Sequence, residues 1–206
     1  VRKANARKAT VTICRRTWGA RSRMRMRSIH ASASSAATNT SSCACGTCPS
    51  PSTSALAAST TPVAKIRRVN IDNVVVSNAH HEYASIIAGL TESPIEDVRL
   101  SNIRIHYKGG GTAADAVREI PENEKNYPEP SMFGVTPSYG FYVRHAKGIT
   151  FDKVKVTYEK PEARPAFFLD NVKDIDLFRI DAQPTSTFFV LKNVDNFNVQ
   201  QSKGVK

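Results

Sequence analysis

The chain has 206 residues, a formal net charge of +11 and a hydrophobic fraction of 40%, enough for one domain with a core of its own. The charge is unevenly placed: residues 1–71 carry 13 Lys or Arg and no Asp or Glu, whereas residues 72–206 carry 16 basic against 18 acidic side chains. No run of 18 apolar residues exists, which predicts no membrane span, and a basic stretch without apolar period, ahead of a remainder with neither basic stripe nor aromatic platform, argues against nucleic acid as a partner.

Residues 1–62 form an irregular segment rich in Ser, Ala, Thr and Arg, with all four cysteines and the single tryptophan, Trp18. Three readings fit it. An Arg- and Ser-rich, acid-free stretch resembles an organelle transit peptide; its crowding of small polar residues suits a disordered linker; and translation of a GC-rich gene out of frame yields the same bias. Cys43, Cys45 and Cys48 are spaced closely enough to suggest a soft metal, yet a tetrahedral site needs a fourth donor, and only His30 or Cys14 is near. The sequence therefore predicts neither a metal nor a cofactor.

A second domain spans residues 63–206. Ile66–Val76 and Ile95–Ile105 are matching apolar alternations, the pattern of strands that bury one face. Residues 107–139 break the pattern with Gly109-Gly110-Gly111, four prolines and several charges, and read as a loop inserted into the repeat. Within it, Ala113–Glu119 suits a short helix.

From Phe141 the repeat is explicit. Phe141, Val143, Ala146, Ile149 and Phe151 recur as Phe167, Leu169, Val172, Ile175 and Leu177, and again as Phe189, Leu191, Val194, Phe197 and Val199. A unit this short cannot bury its own apolar face and must stack on its neighbours. Asn171 and Asn193 sit between the two halves of their units and suit a sharp left-handed corner. Strand, corner, strand and return loop predict an all-β fold, a single-stranded parallel β-helix or solenoid. The rung near Ile66 is expected to be uncapped and prone to aggregation or end-to-end association.

Residues from about Thr61 to Lys206 resemble the C-terminal half of glycoside hydrolase family 28, the polygalacturonase-like group. The resemblance rests on Ile66-Arg67-Arg68-Val69-Asn70-Ile71-Asp72-Asn73-Val74, on Ala84–Leu90 and Pro94–Val98, and most specifically on Tyr127-Pro128-Glu129-Pro130-Ser131-Met132-Phe133-Gly134 and Tyr139-Gly140-Phe141-Tyr142-Val143-Arg144-His145. It implies a right-handed parallel β-helix, here truncated, and a secreted or periplasmic hydrolase of pectin or a related uronic-acid-containing polysaccharide. Such an enzyme inverts the anomeric centre with paired carboxylates roughly 6.5–9.5 Å apart. The family's Asn-Thr-Asp, Asp-Asp, Gly-His-Gly and Arg-Ile-Lys motifs belong to upstream coils, and this sequence contains none of them; Arg104-Ile105-His106 only imitates the last. No catalytic residue is therefore assigned, and the chain is expected to be inactive by itself. The alternative is a non-catalytic carbohydrate-binding or adhesin-type solenoid.

The candidate substrate-binding residues are Tyr127, Glu129, Phe133, Tyr139, Tyr142, Arg144 and His145. Aromatic surface beside a carboxylate in a long loop suits a sugar, although Met132 and Phe133 would equally serve to pin the loop to the stack. Arg144, Asp170 and Lys192 each follow a leading Phe by three residues and predict an outward column of alternating charge. In that column Arg144 is either a rung of a surface ladder or a fork for a substrate carboxylate. His145 takes the corner position of Asn171 and Asn193. Glu119, Glu122 and Glu124 read as charged loop surface, and His80-His81-Glu82 as a solvated loop.

Overall fold

The computed structural model describes Thr10–Thr12, residues 65–123 and residues 130–203. The remainder of residues 1–64, including the cysteine cluster, lies outside the described residues, as do Tyr127 and Glu129. The described chain is all-β. Its strands are β1 (Thr10–Thr12), β2 (Arg67–Ala79), β3 (Ser85–Ala88), β4 (Ile95–Gly109), β5 (Phe141–Lys160), β6 (Phe167–Phe178), β7 (Asp181–Ala182) and β8 (Phe189–Gln200).

The sequence repeat becomes a parallel register. Phe141, Val143, Ala146, Ile149 and Phe151 of β5 lie opposite Phe167, Leu169, Val172, Ile175 and Leu177 of β6, which lie opposite the five apolar residues of β8. Upstream, Val69 of β2 pairs with Val98 of β4, and Val98 pairs directly with Ile149. The long separation between Val98 and Ile149 is thus one rung with an excursion, not two rungs. Inward side chains form one continuous core, in which Ile95, Val98, Ile103, Phe141, Ile149 and Phe151 are fully buried. Each such side chain contributes about 1.5–3 kcal/mol by leaving water. Like residues also stack along the column: the rings of Phe141 and Phe167 are 5.3 Å apart and nearly coplanar in orientation, close to the inter-strand spacing of a sheet.

Long strands such as β5 turn corners without breaking, because single residues adopt the left-handed region. His145, Asn171 and Asn193 do so at φ 49°, 53° and 50°. Two further columns repeat the device. Arg68, Asp97, Gly148, Asp174 and Asn196 form one, and Asn73, Asn102, Lys153, Arg179 and Gln201 the other, all with positive φ. Asn and Asp tolerate this conformation through local hydrogen bonds; amide pairing along the column adds to it, as where Asn102 Nδ2 donates to Asn73 Oδ1 at 2.5 Å.

The predicted helix over 113–119 is shorter, Ala113–Ala116 (α1). Thr112 caps it, with Asp115 returning the bond to the Thr112 N–H in a capping box. No residue of α1 is buried, so no packed face extends it beyond one turn. At the N-terminal end, β1 pairs antiparallel with β3, while the outer edge of β2 closes the parallel order among the described residues.

The insertion is fastened by one buried ion pair. Arg164 (1% exposed) donates from Nε to Glu162 Oε1 at 2.8 Å and from Nη2 to Oε2 at 2.9 Å. The same guanidinium donates to the carbonyls of His81 (2.6 Å) and Thr136 (3.2 Å), and Glu162 Oε2 accepts from the Gly111 N–H at 3.0 Å. A Cβ at position 111 would collide with Arg164 and Glu162, so glycine is required there. Burial opposes the charge on Glu162, but the Arg164 hydrogen bonds and charge prevail and hold its carboxyl below the usual range.

Removing one partner strands the other charge. Arg164→Ala is expected to lower the unfolding free energy by about 3–5 kcal/mol in urea titration monitored by near-ultraviolet circular dichroism; a loss below about 1 kcal/mol would show that the pair is incidental.

Candidate functional site

Alternation gives each strand a second face. Ile86, Tyr142, Phe168 and Val190 pair in sequence across β3, β5, β6 and β8, on the opposite face to Ile87, Val143, Leu169 and Leu191. An outward apolar column needs a cover. The insertion supplies it: Ile120, Met132 and Phe133 pack on Ile86, Tyr142 and Phe168 as a cluster separate from the main core. The Tyr142 and Phe168 rings are 5.6 Å apart and tilted by 39°. Desolvation raises the Tyr142 phenol to about 12 despite the opposing Arg144 charge, so it stays protonated at neutral pH.

Two residues further along each strand, Ala88, Arg144, Asp170 and Lys192 share a register position. The alignment is the one the sequence predicts, but the surface ladder is not. Arg144 is 4% exposed, because the insertion lies over it. Its Nη1 donates to the Ile120 carbonyl at 2.7 Å, its guanidinium lies 5.9 Å from the Tyr142 ring centre, and its buried Nε has no hydrogen-bond partner among the described residues. Lys192 turns over the Phe168 ring, with Nζ 5.3 Å from its centre.

Between stack and insertion lies a cleft of about 190 Å³. The strands contribute Tyr142, Phe168, Asp170 and Lys192; the insertion contributes Arg118, Glu119, Ile120 and Pro137. The arrangement sets two cations, Arg118 and Lys192, beside two carboxylates, Glu119 and Asp170, over the buried Tyr142 and Phe168 rings, a combination that orients a ligand bearing polar and charged substituents.

His145 closes one side of this region. Its Nδ1 accepts from Asn171 Nδ2 at 2.7 Å, which leaves the proton on Nε2, and Nε2 donates to Glu122 Oε1 at 2.8 Å. Thr91 Oγ1 donates to the same carboxylate oxygen at 3.1 Å. Glu122 is therefore not free loop surface, as the sequence suggested, but a latch between insertion and corner. Desolvation pushes its pKa up, and the Thr91 and His145 hydrogen bonds outweigh that and hold it below the ordinary value.

The remaining candidates divide. Phe133 is buried in the second cluster and pins the insertion. Tyr139 is 1% exposed in the main core, edge-on to Tyr107 and Tyr158, with its phenol donating to the Gln183 carbonyl at 2.7 Å; it presents no surface to a ligand. Tyr142, Arg144 and His145 come together under the insertion. His80 and His81 stack on each other, and no group of metal-binding side chains occurs among the described residues. No helix among them is long and apolar enough to cross a membrane.

Sequence reading missed Phe168 and Arg118. Phe168 carried a signal, since Tyr142, Phe168 and Val190 place an apolar residue outward on three successive rungs. Arg118 carried none. Compared with protein-family models, curated proteins and solved structures, the chain matches none.

The latch has a pH signature. Because the folded state depresses Glu122, its stabilisation is complete above the unfolded carboxylate value, about 4.3, and disappears as pH falls through the lower folded value. Glu122→Gln is expected to be less stable than the parent by about 1 kcal/mol at pH 7, with the two melting curves converging below about pH 4. A gap that persists in acid would exclude an ionic latch.

Proposed function

We propose that residues 65–203 are rungs of a right-handed parallel β-helix of the polygalacturonase-like type, the C-terminal part of a secreted or periplasmic pectin-degrading hydrolase. On this reading the chain's own contribution is to bind acidic polysaccharide. The observation that carries it is the charge at the mouth of the cleft between stack and insertion, where Lys192 and Arg118 are exposed beside the buried Tyr142 and Phe168. These two cations supply charge for uronic carboxylates. A rigid stack facing a long loop is where recognition concentrates.

The reading assigns binding rather than bond cleavage to this chain. The aspartate motifs that the resemblance requires for inverting hydrolysis are not in its sequence, and the carboxylates of the cleft have other surroundings. Asp170 follows Arg144 in register, and Glu119 stands on the insertion.

Isothermal titration with oligogalacturonides, and with neutral cello-oligosaccharides of the same length, tests this. The acidic ligands are expected to bind and the neutral ones to bind at least about tenfold more weakly, a difference of about 1.4 kcal/mol. Lys192→Glu should abolish most of that preference while leaving the circular dichroism unchanged. Equal affinity for both ligand sets, or a Lys192→Glu protein that binds like the parent, would reject the cleft as the acidic-glycan site.

A further inference from the structure

Asp170 lines the cleft from β6 and is half-buried, yet among the described residues no hydrogen bond or ion pair reaches its oxygens. The cations beside it in the register column are engaged elsewhere: Arg144 donates to the Ile120 carbonyl, and Lys192 lies over the Phe168 ring. Exposed carboxylates on the same pair of strands are better served. Asp174 accepts from Asn196 Nδ2 at 2.7 Å, Asp176 from Asn198 Nδ2 at 3.1 Å, and Asp195 pairs with Lys173 at 3.7 Å.

By charge alone, such a group works against an acidic ligand. A ligand carboxylate drawn in by Lys192 and Arg118 is repelled by Asp170 beside them. Partial burial also takes from Asp170 some of the water that would otherwise satisfy it. Direct contact with the ligand offsets both penalties, because the oxygens then regain partners.

The chemistry of those partners is restricted. An ionised carboxylate only accepts hydrogen bonds, and it presents two oxygens side by side. Two neighbouring hydroxyls of a sugar ring supply two donors in the same arrangement. Hydrogen bonds to an ionised acceptor are roughly twice as strong as neutral ones. The cleft, about 190 Å³, is smaller than the ~300–1,000 Å³ of a pocket for a drug-sized ligand, and so takes one ring of a longer chain.

We propose that Asp170 reads the hydroxyls of the bound ring, so that the cleft takes a sugar whose vicinal diol is free and rejects one in which those hydroxyls are O-acetylated. The proposal deepens the acidic-glycan reading above and rests on it for the site. Recognition is divided between two groups: Lys192 selects the ligand carboxylate, and Asp170 the unsubstituted diol. Acetylation removes the donors, and a site built to hydrogen-bond a hydroxyl discriminates sharply against a ligand that lacks it.

Isothermal titration of the full 206-residue chain with trigalacturonate, with the same trisaccharide O-acetylated at its ring hydroxyls, and with cellotriose tests this. Acetylation is expected to weaken binding to the parent at least about tenfold. Asp170→Asn keeps the shape of the side chain and removes its charge and one acceptor. If Asp170 were only a rung of a charge column, its removal would tighten the binding of trigalacturonate. As the acceptor for the diol, its loss is expected to weaken that binding about tenfold and to leave the free and acetylated trisaccharides nearly equal. Near-ultraviolet circular dichroism checks the fold of the variant. Discrimination against acetylation alongside equal affinity for trigalacturonate and cellotriose would reject the acidic-glycan reading and uphold the diol reader. Tighter or unchanged binding by Asp170→Asn, equal affinity of the parent for the free and acetylated trisaccharides, or no binding of either would each overturn the role of Asp170.

Discussion

The buried Arg164–Glu162 pair is the constraint on which the irregular half of this structure depends. Moving both charges out of water costs several kcal/mol per ion, and attraction within the pair does not by itself recover that cost. It is recovered here because the guanidinium also reaches backbone carbonyls from two other segments, His81 ahead of β3 and Thr136 at the end of the insertion, while Glu162 holds the Gly111 N–H. Three stretches distant in sequence are thereby fixed at one point. Beside it the insertion is held by its apolar contacts, by the Arg144 bond to the Ile120 carbonyl, by the bonds of Thr136 to Glu82 and Ala84, and by the partly exposed Glu122 latch.

The regular half follows a different logic. Parallel rungs in strict register let each inward side chain meet a similar one above and below, so Val69, Val98, Ile149, Ile175 and Phe197 form a single apolar column. Register is protected because a one-residue slip would turn every apolar side chain outward. The left-handed corners add to that protection. A slip would also move Asn, Asp and Gly away from the positions where positive φ costs them little and put β-branched residues there instead.

These two logics explain what the sequence disclosed. The rungs, their register and the excursion between Val98 and Ile149 were readable, since a repeat writes the same contact several times. The His145, Asn171 and Asn193 corner was also readable. The second and third corners were not, because Arg68, Lys153 and Arg179 occupy positions where no preference for the left-handed region announces them. Errors cluster where the insertion folds back. Arg144 resembled a surface cation because its cover comes from Ile120, some two dozen residues away, and Glu122 resembled loop surface because its partners, Thr91 and His145, lie on another rung. Tyr139 resembled a ligand platform, although its position ahead of Gly140 turns it into the core beside Tyr107. A single pass along a chain detects period well and contacts between non-repeating segments poorly.

The site is a by-product of the same alternation. A strand that buries Phe141, Val143 and Leu169 must send Tyr142, Arg144 and Phe168 the other way, and bulky apolar side chains sent outward require a partner. The insertion meets that requirement incompletely. It covers Tyr142 and Arg144 but leaves the ends of Asp170 and Lys192 beside a cleft. His145 shows how the two halves are joined: it keeps the corner backbone of an asparagine, bonds Asn171 on the next rung through Nδ1, and spends its remaining nitrogen on Glu122 of the insertion. An asparagine there would preserve the corner, yet its shorter side chain would not span from the stack to the insertion. The residue that departs from the repeat is the one that connects the repeat to its cover.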